Sequence, residues 1–438
     1  MNFLIYAASI IFVLGVLVFI HEAGHYLVAK WCGVRIEVFS LGFGKRLFGF
    51  RRGDTDYRVS LIPLGGYVKM AGENPMEDRT GDPGEFASHP RWQRFLIAIA
   101  GPTMNIVFTI VVLTGIFKFH NEYPKYFDQP AVIGSVADGS SAQKSGLQAW
   151  DKIVRVQDIS NPTWKQVDFK VLLNPKQPLE IVIQRGNETL TKTVVPQAMP
   201  RDAVGDMGWS ANETLIVKSV EPDFPAMKAG IHDDDEIISL DGAPITTSEA
   251  YVRKLQDGKG APIEIGLLRN GQPLKFTISP LYADNKKGGM AYRSGMSLMR
   301  AMKVERLPLG QAFPKALTEV KDNVFLVFEL VEKLFQKKIE ITALESPIGM
   351  ARDTGQAAKA GLVPFLYVMA LISLQLGIFN LLPIPILDGG MMLMLLIEGI
   401  IRRDINQRIK ERAYQVAFVC LILFASVVIF NDVRKGFH

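Results

Sequence analysis

The stretch FLIYAASIIFVLGVLVFIHEAGH, residues 3–25, joins an uncharged apolar run to His21-Glu22-Ala23-Gly24-His25. Histidines four apart lie on one face of a helix, so both imidazoles can reach one Zn²⁺. The glutamate beside the first of them is placed to hold and deprotonate a metal-bound water. Polar groups packed into one turn of a membrane helix are costly unless they face a bundle interior or a water-filled cavity. The reading is hydrolytic zinc chemistry inside a bilayer. A metal-free His-Glu-His cluster would bury the same groups without compensation. A third ligand elsewhere in the chain decides between the two.

The chain has 438 residues, of which 48% are hydrophobic, so its membrane character is local and there is room for several domains. Phe3–Ile20, Phe95–Phe117, Leu362–Leu387 and Ala413–Phe430 carry no charge. Each is long enough, or nearly so, to cross a hydrocarbon core of ~30 Å as a helix. The first has no basic flank before it and no small-residue cleavage site, and reads as a retained span. Lys30, Arg35, Lys45, Arg46, Arg51, Arg52 and Arg58 follow it, and Arg402, Arg403, Arg408, Lys410 and Arg412 separate the third span from the fourth. The positive-inside rule puts both clusters in the cytoplasm, with both termini and the segment Lys118–Gly361 outside. His21 then lies about 27 Å along its helix, near the cytoplasmic side of the bilayer. The net charge of +5 is largely these clusters, and no recognition helix or stacking platform for nucleic acid accompanies it. Cys32 and Cys420 read as buried filler, not as a disulfide.

The outside segment repeats itself. Ser145-Gly146-Leu147 and Asp151-Lys152-Ile153-Val154 align with Ala229-Gly230-Ile231 and Asp235-Glu236-Ile237-Ile238, 84 residues on from Gly146 to Gly230. The offset also joins Glu180 to Glu264, Arg185 to Arg269 and Pro196 to Pro280. Short β-prone runs such as Leu179–Gln184 and Ile263–Leu268 end in Arg-Gly-Asn and Arg-Asn-Gly turns, which predicts two copies of one small β-rich domain. A small residue, Gly-Leu/Ile and Asp-x-Ile resemble the core of PDZ domains. Trp150 and Asp234 stand where a glycine is usual, and no glycine-rich loop that could bind a peptide carboxylate precedes Ile133. A steric or docking role is therefore favoured over reading of C-termini. Downstream, Ala312–Phe335 reads either as an amphipathic helix on the outer membrane surface or as a solvated helix packed on the second repeat.

Asn380-Leu381-Leu382-Pro383-Ile384-Pro385-Ile386-Leu387-Asp388-Gly389-Gly390 closes the third span. Two prolines remove backbone donors and break the helix, and irregular backbone at membrane depth is tolerated where it lines a cavity. An aspartate just past that break can meet the histidines at the same depth. Two histidines and a carboxylate leave a fourth zinc position for water.

These paired motifs, with the tandem insert between them, resemble the site-2 protease family of intramembrane zinc metalloproteases, in its bacterial sigma-E-regulating subgroup. The resemblance covers essentially the whole chain. It implies ligation of one Zn²⁺ per chain by His21, His25 and Asp388, with Glu22 as catalytic acid/base and Asn380 helping to place the substrate backbone. Gln375 stands where the family has an asparagine, and no role is carried onto it. Tyr57–Met70, with Leu64-Gly65-Gly66-Tyr67 as its turn, is similar to the family's membrane re-entrant β-hairpin. A substrate helix hides its peptide bonds, so an edge strand must hold it extended; Ser60, Leu61, Ile62, Gly65 and Gly66 are the candidate positions. Gly101-Pro102-Thr103-Met104-Asn105 in span two is assigned to close helix packing, with a cavity-lining role for Asn105 as the alternative.

The expected fold is a multi-pass α-helical membrane protein of four spans, with a membrane-associated β-hairpin or sheet and two external PDZ-like α+β domains. Its parts are a first span with the zinc motif (1–31), a cytoplasmic-side β region with the re-entrant hairpin (32–93) and a second span (94–118). The two PDZ-like domains follow (127–212 and 213–300), then an amphipathic helix and connector (301–361), a third span with the Asp-Gly motif (362–401) and a fourth (413–431). The resemblance implies regulated intramembrane proteolysis in the bacterial inner membrane, in a stress response. Its substrates would be pre-trimmed single-span proteins such as anti-sigma factors, and remnant signal peptides. Two rivals are a non-enzymatic PDZ scaffold on a membrane anchor and a membrane-anchored zinc peptidase of soluble substrates. A scaffold gives no reason to keep Glu22, both histidines and Asp388 together. The second rival usually draws its third ligand from a soluble domain, where no suitable glutamate is evident.

Overall fold

The computed structural model describes residues 2–73, 81–199, 204–285, 289–339 and 347–436. The chain divides into one unit of Met1–His120, Arg306–Val331 and Leu344–His438, and another of Asn121–Glu305 and Glu332–Ala343.

The first unit is built on long helices: α1 (Asn2–Cys32), α2 (Arg91–Phe119), α3 (Leu309–Phe335), α4 (Pro347–Ala360), α5 (Leu362–Asn380), α6 (Asp388–Ile401) and α7 (Gln407–Gly436). Among the described residues, four helical stretches are long and apolar enough to cross a membrane: Leu4–Cys32, Arg91–Phe119, Leu362–Asn380 and Gln407–Phe430. Helices are the natural choice for such sequences, because a bilayer offers no partner for an unpaired peptide group. With lipid as the competing apolar solvent, close helix contact rests on small residues and polar bonds. A Cβ on Gly24 of α1 would collide with the Ala100 carbonyl of α2, and one on Gly355 of α4 would collide with the Tyr6 ring of α1. Between α2 and α5, Thr109 Oγ1 donates to the Ala370 carbonyl at 3.0 Å and Ser373 Oγ donates to the Asn105 carbonyl at 3.0 Å. Val416, Phe418, Val419, Leu423 and Phe430 of α7 remain exposed, as suits a span facing lipid.

α3 packs on the spans. Ala312, Ala316, Val320 and Val327 are buried with Leu113, Ile116, Phe117 and Leu374 of α2 and α5, while Phe313, Leu317, Phe325 and Phe328 stay exposed. The second apolar face is what an interfacial helix needs. The segment 362–401 is two helices, interrupted at the expected break. α5 stops at Asn380, Pro383 and Pro385 break the ladder, and α6 begins at Asp388.

The segment Tyr57–Met70 lies in β2 (Thr55–Met70), which pairs with β1 (Ile36–Arg52) across a turn at Gly53-Asp54. The chain reverses within it as expected, because Val59 and Gly66 both pair with Leu41, but its two arms flank β1 and do not pair with each other as in a simple hairpin. Gly53 takes a left-handed φ of 60°. The ladder folds on itself, so Phe39 is flanked by Val68 on one side and Tyr57 on the other. Gly65, with a φ of 115°, and Gly66 lie at that reversal and also serve close approach. A Cβ there would lie 2.5 Å from the Phe43 ring or 2.6 Å from the Ser40 carbonyl oxygen, respectively.

The second unit holds the two copies. In the first, β3 (Ile133–Val136) pairs with β7 (Trp209–Ala211), and β4 (Lys152–Val156), β5 (Leu179–Arg185) and β6 (Glu188–Val194) form an antiparallel run. The second repeats this with β8 (Leu215–Val220), β9 (Glu236–Leu240), β10 (Ile263–Arg269), β11 (Gln272–Ile278) and β12 (Met296–Arg300). Equivalent positions fill equivalent cores: Ile153, Leu179, Ile181 and Ile183 in one, and Ile237, Ile263, Ile265 and Leu267 in the other.

The repeated aspartate has a structural cause. Arg185 donates from Nε to Asp151 Oδ1 at 2.7 Å and from a terminal nitrogen to the Gly146 carbonyl at 2.8 Å; Arg269 does the same to Asp235 and Gly230, at 2.7 and 2.8 Å. Trp150 and Asp234, in the place of the usual glycine, take left-handed φ values of 75° and 67°. A positive-φ glycine does occur in each copy at its far end, Gly208 before β7 and Gly295 before β12.

Candidate metal centre

α1 carries His21, Glu22 and His25 on one and a quarter turns, and the first residue of α6 is Asp388. Two close approaches bring that residue to the histidines' depth. Gly389 and Gly390 let the first turn of α6 lie against the Leu381 and Ile384 carbonyls, where any side chain would collide. Gly101 of α2 faces both imidazoles, and a Cβ on it would overlap His25 Nε2 and come within 2.9 Å of His21 Cε1.

His21 Nε2 lies 3.1 Å from Asp388 Oδ2, His25 Nε2 lies 3.5 Å from Asp388 Oδ1, and the two Nε2 atoms are 3.3 Å apart. Ligands 2.0–2.1 Å from a tetrahedral zinc stand roughly 3.3 Å from one another. The 3.3 Å between the two imidazole nitrogens matches that edge length, and each nitrogen has one oxygen of Asp388 at a similar distance. Both histidines are buried, and Asp388 Oδ2 is buried without a hydrogen bond of its own. Three converging donors of zinc-binding type, two neutral imidazoles and a carboxylate, fit one zinc ion.

The unused ring nitrogens point to α2. His25 Nδ1 is 2.7 Å from the Ile97 carbonyl oxygen, and His21 Nδ1 is 3.2 Å from the Asn105 side-chain amide. Glu22 is held from the sheet side, where the Val68 N–H donates to its Oε2 at 3.0 Å.

The other candidate positions are spread along the ladder and the break. Ser60 is buried, its hydroxyl 2.9 Å from Ser40 Oγ, while Leu61 and Ile62 are exposed. Gly66 lies beside Val18 of α1, 3.6 Å from where its Cβ would stand, which brings the 66–68 segment of β2 alongside the zinc helix. Asn380 ends α5 at the break. Among the described residues, no hydrogen bond or ion pair joins Ser60, Leu61, Ile62 or Asn380 to the triad. Val68 was not a sequence candidate: its contribution is a backbone N–H, which any residue but proline supplies. Gly101 and Asn105 were read mainly as packing, and only the crossing of α1 on α2 reveals what they face.

The description of peptidase family M50 matches residues 9–424. The chain is 31% identical to the regulator of sigma-E protease RseP of Escherichia coli (strain K12), over 99% of this chain and 100% of that protein. It is 30% identical to protease RseP of Yersinia pestis, over 98% of each. The PDZ domain of an SdrC-like protein from Listeria monocytogenes aligns with 20% of this chain and 90% of itself, at 21% identity and a TM-score of 0.18. Since the family match runs through both histidines on α1 and Asp388 on α6, the chain belongs to peptidase family M50, and it is an intramembrane zinc metalloprotease of the site-2 type.

Proposed function

We propose that the protein is an endopeptidase of regulated intramembrane proteolysis that cuts transmembrane segments of single-span proteins already shortened by another protease. Anti-sigma factors are the favoured substrates, with remnant signal peptides beside them. The observation that carries this is the meeting of His21, His25 and Asp388 inside a bundle of long apolar helices, with a β-strand running up to Glu22. The names of the relatives, regulators of sigma-E proteases, support the substrate class. The protein would reside in the bacterial inner membrane, with both termini and the repeats outside and the site toward the cytoplasm.

In this reading His21, His25 and Asp388 hold one zinc ion, which when bound polarises the scissile carbonyl and lowers the pKa of water. Glu22, oriented by the Val68 N–H, takes the proton from the attacking water and delivers it to the leaving amine. Strand β2, through Ser60, Leu61, Ile62, Gly65 and Gly66, holds the unwound substrate by adding it as a strand. Asn380, at the helix break, places the substrate backbone.

The test uses the full-length protein in detergent or vesicles, with metal content and cleavage of a model transmembrane peptide measured together. One zinc per chain and a cut inside the apolar segment are expected. Cleavage only of soluble peptides, or zinc that survives removal of both histidines, would overturn the reading.

A further inference from the structure

Ile97, Gly101 and Asn105 recur every four residues, so they form one stripe of α2, and that stripe faces the unused edges of both imidazoles. The Ile97 carbonyl can only accept. At 2.7 Å it keeps the proton of His25 on Nδ1 and leaves Nε2 free as a lone-pair donor. Gly101 is the gap through which the rings pass. Asn105 completes the stripe. It is fully buried, its amide is 3.2 Å from His21 Nδ1, and its Oδ1 has no hydrogen-bond partner among the described residues.

A side-chain amide differs from a carbonyl in being two-sided. With the nitrogen toward His21, Asn105 donates to Nδ1 and His21 carries its proton on Nε2, facing Asp388 Oδ2 at 3.1 Å. With the planar amide turned over, Oδ1 accepts from Nδ1–H, and Nε2 is free to bind metal. The two orientations have the same shape. Surrounding bonds hold the Asn105 backbone in either case: its carbonyl accepts from Thr109 Oγ1 at 2.9 Å and from Ser373 Oγ at 3.0 Å.

We infer that Asn105 is a positioning residue for the zinc ligand His21, matching its tautomer by turning over the amide when metal enters. It touches no substrate and acts only through the imidazole. This rests on the reading of His21 as a ligand. Partners of this kind around a zinc histidine typically change metal affinity 10- to 100-fold when removed.

The experiment measures zinc affinity of the full-length protein in detergent by competition with a chelator. Asn105→Leu, which keeps the size and removes the acceptor, is expected to weaken zinc roughly 10- to 100-fold. Asn105→Asp, which keeps an acceptor, should stay within about threefold of wild type, as should Thr109→Val, which removes a neighbouring helix–helix bond without touching His21. The visible spectrum of the cobalt-substituted protein should shift for the leucine variant alone. A folded leucine variant with wild-type affinity overturns the inference. So does a Thr109→Val loss equal to the leucine loss, which would make the role structural, or an aspartate variant more than tenfold weaker. If the leucine variant does not fold, the aspartate variant decides by the same threshold. His21→Ala separates the two readings: stoichiometric zinc in that variant sinks the metal assignment itself, whereas zinc lost there but kept in Asn105→Leu sinks only the role of Asn105.

Discussion

Glu22 is held by one bond from outside its own helix, the Val68 N–H of β2. Because that donor is backbone, Glu22→Gln keeps the size and the bond while removing the base. The variant is expected to retain full zinc while turnover falls by about 10²- to 10⁴-fold, read as metal per chain beside cleavage rate. Asp388→Ala is expected to lose both, and stoichiometric zinc with full cleavage in that variant would mean the third ligand lies elsewhere. The triad was legible because histidines four apart share a helix face whatever surrounds them, and because Pro383 and Pro385 announce a break just before Asp388. Asn105 and Gly101 were not, since their meaning depends on which helix crosses at Ala100. A further residue-scale effect lies in the first repeat, where burial pushes the Asp168 carboxyl up to about 6 against the opposing pull of Arg300. The folded state then binds that proton more tightly than the unfolded chain, so this group favours folding below about pH 4 and loses its contribution as pH rises through about 6. Thermal unfolding of the full chain between pH 4.5 and 7.5 should show a gain on acidification that Asp168→Asn reduces; an identical pH profile in the variant would remove the assignment.

Elements carry their own predictions. Arg185 and Arg269 each close a buried carboxylate, Asp151 or Asp235, onto the start of a strand. Truncating either arginine to alanine leaves that charge unpaired and is expected to destabilise its repeat by about 3–5 kcal/mol. Chemical denaturation should place Arg185→Ala and Arg269→Ala in separate repeats, each leaving the other's transition unmoved. In the β ladder, Leu61→Pro removes a backbone donor on an exposed stretch of β2 and is expected to slow cleavage of stably helical substrates without releasing zinc. Normal turnover in the folded variant would count against strand addition. The ladder is only partly legible in the sequence. Arg52-Gly53-Asp54 and Leu64-Gly65-Gly66 both read as turns, and the chain reverses near both. That the arms around Leu64 pair with β1 and not with each other is a long-range fact.

At the scale of the molecule, the proposed role of the repeats is a size filter, which needs folded volume and no ligand. Excising the repeats is expected to leave zinc content unchanged and to admit substrates that still carry a large outer domain. The comparison is one transmembrane segment bearing either a short tail or a folded domain, with and without the repeats. If a folded, zinc-loaded deletion no longer cuts the short-tailed substrate, the repeats recruit instead of excluding. The way the chain enters and leaves the repeat unit bears on such surgery. Asn121–Pro124 pairs with Met302–Glu305 inside that unit, and in the other unit the Leu307 N–H donates to the Phe117 carbonyl at 3.0 Å. In each, the two severed ends lie side by side, as they do in domains that tolerate insertion. In hereditary terms the continuous stretch Asn121–Glu305, which carries both repeats, is a cassette. A gene could acquire it, double it or lose it at one seam, and the helices that meet around the metal would not have to move to accommodate the change.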